Sequence, residues 1–282
     1  MKIAWVTDST VSLDKSLVNH PDIYSVPMVI LFNNEEYRDG IDLSVEEFFM
    51  KLESSPKLPT SSQPAVGAFV ELYESLTESY DVIVSVHLSN KLSGTYATSV
   101  QAANMVDFPI HIIDSKLLSL PMGKMIQHGM NMHQAGHSVE EIVSALTFMA
   151  DQHETYVMIG SLEQLHKGGR MTGAQFLIGS ALKIKPILAV VDGALEPKEK
   201  IRTEKKAEQR MIDLFKEAKQ ANPDLDEVHL LYGRYPDVAT EWKQILSEQY
   251  PDVKVETCPL GPVIGVHAGA KTFGISWSKR KV

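Results

Sequence analysis

The sequence contains very little cysteine and no long apolar run. Cys258 is its only cysteine, so no disulfide can form within the chain, and we interpret it as a small buried hydrophobic side chain. No apolar run approaches the roughly 20 residues that span a bilayer. Asp8 comes too early for the apolar region of a signal peptide. We therefore expect a cytoplasmic protein without an integral membrane segment.

An excess of positive charge is also missing. The chain has 27 lysines and arginines against 36 acidic residues, a formal net charge of −9. Because nucleic acids and anionic lipids are polyanions, this balance argues against broad charge-driven binding to either. Hydrophobic residues make up 44% and charged residues 22% of the 282 residues. This composition is typical of a globular protein, and the length allows two domains of ordinary size.

Motifs for nucleotides and metals are absent as well. No G-x-x-x-x-G-K-[ST] loop occurs, which argues against ATP binding by that route. His128, His133 and His137 form a cluster, and the last two are spaced to share a helix face. The cluster lacks the glutamate of H-E-x-x-H, and two glycines interrupt the pattern, so a solvated face is favoured. We predict no metal site and no cofactor.

Short apolar runs alternate with helical patterns in the first half of the chain. This alternation favours an α/β fold with a parallel sheet flanked by helices, which we assign to an N-terminal domain at residues 1–154. Ligands of such sheets bind beyond the carboxyl ends of the strands. The predicted strands are 3–7, 26–32, 82–86 and 110–113, and the predicted helices are 65–77, 95–106 and 138–152.

A second α/β domain is predicted over residues 155–282. Asp192-Gly193 is a hairpin signal, so its sheet should be mixed or antiparallel. The predicted strands are 156–159, 185–191, 228–231, 253–258 and 272–277, and the predicted helices are 204–220 and 238–249. One segment is apolar on most sides, which indicates buried core or the wall of a pocket for an apolar ligand. It contains Phe176, Leu177, Ile178, Leu182, Ile184, Ile187 and Leu188.

Two polar turns precede helical patterns in the N-terminal domain. Thr60, Ser61 and Ser62 lie in LPTSSQPA, and Ser93 and Gly94 lie in NKLSGTYATS. Judged alone, each turn is more often a helix cap than a ligand site. Together they offer hydroxyl and backbone donors at the positive end of a helix. Such donors suit a phosphate or a carboxylate.

Three further residues are candidates, each with a simpler interpretation beside it. Arg170 follows a Gly-Gly turn, and Arg202 lies in a charged segment. Both are more often plain surface charges, although arginine suits phosphate or partner recognition. His267 is surrounded by glycines in GPVIGVHAGA, which allow close backbone approach. Taken alone, it is interpreted as a satisfied core histidine.

A serine hydrolase is the alternative from a different functional class. Ser93, His267 and either Asp8 or Asp114 supply the residue types of a catalytic triad. However, Ser93 lies in K-L-S-G-T rather than in the G-x-S-x-G turn of the α/β-hydrolases. The hydrolase interpretation therefore stays a minority alternative.

Six motifs occur in order along nearly the whole chain: VTDST, PTSSQP, LSGTY, GGRMTGAQFLIGSALKIKPIL, DGALEPKEKIRTEKKA and GPVIGVHAG. Taken together, they resemble the DegV family, whose FakB members are fatty-acid-binding subunits of bacterial fatty acid kinase. The resemblance implies a two-domain protein that buries a long-chain fatty acid and holds the carboxyl group at the polar turns.

The resemblance also implies roles for individual residues. Arg170 and Arg202 would face a separate ATP-binding kinase subunit, which phosphorylates the carboxylate. The acyl phosphate would then feed phospholipid synthesis, with transient membrane contact, and the protein would not be catalytic alone. The groups implied to bind the carboxyl group are one hydroxyl of the Thr60-Ser61-Ser62 run, Ser93 together with the Gly94 backbone, and His267.

Two positions depart from the family pattern. Ser61 replaces a threonine that is frequent in the family, which keeps the hydroxyl and loses a methyl contact. After His267, the chain has Ala270 and Lys271 where a Pro-Gly pair is frequent. Besides the hydrolase acting on acyl esters, a regulator that senses lipid without phosphorylation stays open as an alternative.

Overall fold

The computed structural model describes residues 1–171 and 185–280, and these residues form three β-sheets with helices packed around them. The first half contains strands β1 (Ile3–Asp8), β2 (Ile23–Val26), β3 (Val29–Phe32), β4 (Glu35–Arg38), β5 (Thr60–Ser62), β6 (Val82–His87) and β7 (Ile110–Asp114). Its helices are α1 (Val45–Ser54), α2 (Val66–Leu76), α3 (Thr95–Ala103), α4 (Ser119–Gln134) and α5 (Val139–Ala150).

The second half alternates in the same way. Its strands are β8 (His153–Met158), β9 (Lys185–Val191), β10 (Ala194–Ile201), β11 (Glu227–Tyr232), β12 (Lys254–Pro259) and β13 (Phe273–Ser278). Its helices are α6 (Leu162–Lys167), α7 (Glu204–Ala221), α8 (Asp237–Gln249) and α9 (Pro262–Ala268). These elements make the two-domain α/β fold that the sequence predicts, while the exact division at residues 154 and 155 stays a prediction.

A four-stranded parallel sheet, in the order β2-β1-β6-β7, forms the centre of the first half. All six residues of β1 and of β6 are buried, as expected for central strands covered on both faces. Trp5 packs toward α4 and α5, whereas the next residue, Val6, packs with Phe69 and Tyr73 of α2. The chain places β2 on one side of β1 and then places β6 and β7 on the other side, so the strand order reverses between β1 and β6. The carboxyl ends of these two strands therefore open on the crevice where such sheets bind ligands.

The second half is built on a six-stranded mixed sheet in the order β10-β9-β8-β13-β11-β12. Only β11 and β12 run parallel among its paired strands. The predicted hairpin joins β9 to β10 at Asp192 and Gly193, which have φ angles of 45° and 79°. Phe215 and Trp242 bury one face of this sheet from α7 and α8. The expectation of a mixed sheet is confirmed.

The predicted strand at 26–32 was wrong as a single element. β2 ends at Val26 in the parallel sheet, and β3 begins at Val29 in a three-stranded antiparallel sheet of order β4-β3-β5. Pro27 lies between them. Proline has no N–H for a sheet ladder and restricts the residue before it, so the chain leaves one sheet and enters another here.

Helix α4 was not predicted, and it corrects the interpretation of the histidine cluster. His128 and His133 lie within α4, but His137 lies beyond its end, where its Nδ1 is 3.4 Å from Glu141 Oε2. His133 and His137 therefore do not share a helix face. Of the apolar segment, Phe176, Leu177, Ile178, Leu182 and Ile184 lie outside the described residues, while Ile187 and Leu188 are buried.

Candidate functional site

An apolar cavity lies beside the carboxyl ends of β1 and β6. It encloses about 970 Å³, a volume that includes its open mouth. Its wall is formed by residues that follow β1, β6 and β7, by strands of the three-stranded and six-stranded sheets, and by α9. Such a wall suits a ligand with a long apolar part. The apolar lining includes Leu88, Leu117, Val157, Leu195, Val263 and Ile264.

A serine and a histidine meet at the wall of this cavity. Ser61 Oγ of β5 lies 2.7 Å from His267 Nε2 of α9, and both residues line the cavity. The neighbours Thr60 and Ser62 are exposed, because successive side chains of a strand point to opposite faces. Of the three hydroxyl residues predicted at this turn, the structure thus places Ser61 at the cavity.

The surroundings of His267 keep its ring neutral. Burial, together with the nearby positive charge of Arg170, lowers the pKa of His267 to about 4. Its Nδ1 atom is buried without a hydrogen-bond partner among the described residues. A Cβ at Gly168 would lie 2.3 Å from Nδ1, so only glycine fits against this edge of the ring. A neutral imidazole can donate one hydrogen bond and accept another.

The second polar turn lies at the start of α3. Ser93 is buried, lines the cavity and places its Oγ 2.9 Å from Thr95 Oγ1. Gly94 is the N-cap residue, and a Cβ there would lie 2.0 Å from Gln63 Oε1. Gln63 follows Ser62 directly, so the two predicted turns pack against each other. Gly94 serves this contact, while Ser93 faces the cavity.

The two predicted arginines occupy different environments. Arg170 is half-buried and lines the cavity. Its Nε donates to Leu92 O at 2.9 Å, and its Nη1 donates to Gly168 O. Burial lowers the pKa of Arg170, although an arginine stays charged in proteins. Arg202 is exposed between β10 and α7. Their predicted role toward a partner stays a prediction.

A buried carboxylate joins the ends of β1 and β6. Asp8 Oδ1 accepts a hydrogen bond from Thr10 Oγ1 at 2.6 Å, and Oδ2 accepts one from Leu88 N at 2.9 Å. Asp8 Oδ2 also lies 3.1 Å from His87 Nδ1. Thr10 and Leu88 both line the cavity. Asp8 therefore positions cavity residues from behind the wall, a role that its place in VTDST did not reveal.

The hydrogen bonds do not assemble the catalytic triad considered from the sequence. Ser93 Oγ contacts Thr95, and His267 contacts Ser61 instead. The Asp114 carboxylate accepts from the backbone N–H groups of Asn90 and Lys116. No chain of hydrogen bonds links Ser93 through His267 to a carboxylate among the described contacts, so the geometry does not support a serine hydrolase.

The loop after His267, where the sequence departs from the family pattern, is ordered by backbone contacts. Ala270 O accepts a hydrogen bond from Arg234 N at 2.8 Å, and Lys271 is exposed. Gly269 has a φ of 83°, a conformation that favours glycine.

One group of side chains elsewhere has the geometry of metal ligands. Within residues 1–171 and 185–280, the ligand atoms of Glu227, His229 and Glu256 lie within 4.8 Å of one another. Lys124 Nζ of α4 already lies 3.1 Å from Glu227 and 2.9 Å from Glu256. We interpret the group as an ion-pair network that joins α4 to β11 and β12. No helix in the described ranges is long and apolar enough to cross a membrane.

Comparison with known proteins identifies the family. A family model described as "Uncharacterised protein, DegV family" matches residues 2–280. The chain belongs to the DegV family. Among DegV relatives, Protein DegV of Bacillus subtilis is 36% identical over 279 residues, which cover 98% of this chain and 99% of that protein. A DegV domain-containing protein of Listeria innocua is also 36% identical over 279 residues, covering 98% of both chains.

Solved DegV structures share the fold over their whole length. The DegV fatty-acid-binding protein of B. subtilis has a TM-score of 0.89 at 36% identity, covering 99% of both chains. A fatty-acid-binding DegV family protein of Thermus thermophilus has a TM-score of 0.88 at 30% identity, covering 99% of this chain and all of that one. The Streptococcus pneumoniae fatty acid kinase B3 protein, loaded with linoleic acid, has a TM-score of 0.84 at 20% identity, covering 99% of this chain and all of that one, and shares the fold.

Proposed function

We propose that this protein binds a long-chain fatty acid, with the acyl chain in the apolar cavity and the carboxyl group at Ser61, Ser93 and His267. One observation carries the proposal: the Ser61–His267 pair and the buried Ser93 line the same apolar cavity. Solved DegV proteins that bind fatty acids support it, because they share this fold at 30% identity or more.

The acyl chain supplies most of the affinity. A chain of about 14 methylenes at roughly 0.8 kcal/mol each contributes on the order of 11 kcal/mol of gross burial. Hydrogen bonds to the carboxyl group add only about 1 to 3 kcal/mol, but a buried carboxylate without partners would cost several. The polar residues therefore contribute less to affinity than the acyl chain does, and their main effect is to determine where the head group lies.

The polar groups suit a carboxyl group in either protonation state. Hydroxyls of Ser61 and Ser93 can donate to a carboxylate or accept from a protonated acid. The neutral ring of His267 has the same versatility, since one nitrogen donates and the other accepts. Arg170, beside His267, adds a positive charge that favours the ionised form.

We further propose that the protein presents the carboxylate to a separate ATP-binding kinase subunit. The resulting acyl phosphate would serve phospholipid synthesis, and the protein would act as a carrier without catalysis of its own. The six motifs that resemble the FakB proteins support this step. Arg202, which is exposed, and Arg170, at the cavity wall, are the residues we assign to the partner face.

Mass spectrometry tests the fatty-acid proposal directly. Purified protein is weighed intact under native conditions, then denatured, and the released small molecules are identified. We expect one long-chain fatty acid per protein chain. A protein that is purified without bound fatty acid and also fails to take up added fatty acid would overturn the proposal.

The hydrolase alternative is tested with a fluorophosphonate probe. Covalent labelling of Ser93 would favour hydrolysis over carriage, because the probe reacts with activated serines. We expect no labelling above the level of a Ser93→Ala variant.

A further inference from the structure

A second pocket adjoins the acyl cavity and differs from it in chemistry. It encloses about 970 Å³ including its mouth, and charged side chains make up much of its wall, among them Asp151, Glu154 and Asp192. Four residues line both spaces: Lys116, Leu117, Thr155 and Val190. The wall between the apolar cavity and the charged pocket is therefore a single layer of side chains.

The strand register explains why this pocket exists. β8 pairs with β13 along its whole length, from His153 onward, but pairs with β9 only from Tyr156. The pairing of β9 with β8 ends at Ala189. The end of β9 and the hairpin tip therefore diverge from the first half of β8. The charged pocket occupies the gap.

Lys116 extends across this wall. It follows β7 in a turn with a φ of 55°, and its Nζ lies 2.7 Å from Asp151 Oδ1 and 2.6 Å from Asp192 Oδ1. Both aspartates line the charged pocket only, whereas Lys116 lines both spaces. The ammonium group thus lies on the charged side, and the aliphatic stem covers the apolar side. Lysine commonly divides its side chain between two environments in this way.

The hairpin tip that carries Asp192 is held by a second contact. Ser89 Oγ donates to Gly193 O at 2.7 Å. A Cβ at Gly193 would lie 2.3 Å from Ser89 Oγ, so the close approach requires glycine. Asp192, fixed in this way, gives the Lys116 ammonium a defined partner, and the lysine stem acquires a defined position.

We propose that Lys116 is a specificity-determining residue that closes the acyl cavity toward the charged pocket and thereby limits the length of the bound acyl chain. The inference rests on the proposed fatty-acid function. Each further methylene buried in an apolar site raises affinity by about fourfold. This increase in affinity stops where the acyl chain meets the lysine stem, because a longer chain would have to displace the stem and enter a space lined by carboxylates.

The test compares two substitutions at this one position. Lys116→Gly removes the stem, and glycine suits the φ of 55°, so the backbone keeps its conformation. Lys116→Met keeps a stem of similar length and loses only the charge. Asn34→Gly is the control, because Asn34 has a φ of 72°, is exposed and lines neither space. Each delipidated protein receives an equimolar mixture of saturated fatty acids of increasing length, and the bound acids are quantified by mass spectrometry.

We expect Lys116→Gly to raise the ratio of longer to shorter bound chains by at least about fourfold for each of the first added methylenes. Asn34→Gly should keep the wild-type distribution. Lys116→Met keeps the stem but loses its ion pairs with Asp151 and Asp192, so it should shift the distribution in the same direction by less. Asp192→Asn is the second variant. It weakens the ion pair without removing the stem, and it should shift the distribution in the same direction by less.

The outcomes separate the inference from the function on which it rests. A wild-type length distribution in both Lys116→Gly and Asp192→Asn would overturn the role of Lys116 while leaving fatty-acid binding intact. Equal loss of all chain lengths in both Lys116 variants would place the lysine at the carboxyl group and overturn the inference as well. Failure of the wild-type protein to take up any fatty acid would overturn the proposed function and, with it, this inference.

Discussion

At the scale of single residues, the position of a side chain within a strand decides its role. Ser61 and Ser62 are adjacent serines, yet only Ser61 reaches His267 and the cavity. Ser62 is exposed, and its Oγ donates to Gln63 O. The same serine-to-alanine substitution can therefore be made at Ser61, inside the candidate site, and at Ser62, outside it.

We expect Ser61→Ala to weaken fatty-acid binding about five- to thirtyfold. Loss of the hydroxyl costs the carboxyl group one partner, which is worth about 1 to 2 kcal/mol. Ser62→Ala should bind like the wild type. Binding is measured by competition with a fluorescent fatty acid after delipidation. Equal affinities for the two variants would remove Ser61 from the head-group site.

His267 makes the stability of the protein depend on pH. Its pKa is about 4 in the folded protein, against an ordinary value of 6.5. Between these values the unfolded state binds the proton and the folded state does not, so the free energy of unfolding falls as the pH falls. His153, whose burial also lowers its pKa to about 4, contributes in the same direction.

The His267→Gln variant isolates one share of this dependence. Between pH 7 and pH 4, we expect the variant to lose about 3 kcal/mol less stability than the wild type. Glutamine does not titrate, so unfolding of the variant no longer takes up a proton at this position. Denaturant unfolding at several pH values measures this difference in slope. Parallel stability curves for the two proteins would show that His267 does not titrate in this window.

At the scale of elements, helix α4 illustrates a pattern that sequence reasoning misjudges. Its glycines lower helix propensity, but the structure needs them for close packing. A Cβ at Gly123 would lie 2.1 Å from Ser12 O, and one at Gly129 would lie 2.6 Å from the Trp5 ring. The helix forms because tertiary packing on the parallel sheet outweighs the local cost of glycine.

Gly129→Ala should therefore destabilise the protein by about 1 to 3 kcal/mol, because the added methyl overpacks against Trp5. The matched control is Gly67→Ala in α2, where a Cβ would meet nothing within 4 Å. That change should stabilise the protein by about 0.5 to 1 kcal/mol through helix propensity. Both are measured by urea unfolding, and effects of the same sign would refute the packing argument.

At the scale of the whole molecule, the proposed carrier must keep the acyl chain covered while its carboxyl group stays accessible to a partner. The cavity wall draws on loops that follow the parallel strands of the first half, on strands of the six-stranded sheet and on α9, so the proposed binding depends on how the two halves pack together. Lys124 of α4, which bridges Glu227 and Glu256, is one contact that joins those halves. The surface proposed to contact the kinase subunit is tested separately, by substitution of exposed charged residues.

We expect Arg202→Ala to keep normal lipid content while lowering acyl-phosphate formation at least tenfold when the kinase subunit and ATP are supplied. Arginine suits partner recognition, and this one is exposed away from the cavity lining. Lys243→Ala, an exposed charge on α8, is the control and should leave turnover unchanged. Loss of bound lipid in the Arg202 variant would contradict the assignment to the partner face.

The sequence by itself determined the α/β class, the parallel sheet of the first half and the hairpin at Asp192-Gly193. These features follow from local signals: continuous apolar runs in β1 and β6, helical periodicity, and the turn preference of Asp-Gly. The six sequence motifs also indicated the DegV family, and two of them contain the polar turns.

Only the tertiary structure decided which residues share the site. Selecting Ser61 over Ser62 required the register of β5, and pairing it with His267 required a contact across 206 positions of the chain. The roles of Lys116 and of Asp8 at the cavity wall also required the fold, because Lys116 pairs with Asp192 and Asp8 accepts from Leu88, which both come from distant elements. Local propensity depends on neighbouring residues, whereas a binding site depends on which surfaces the fold buries together.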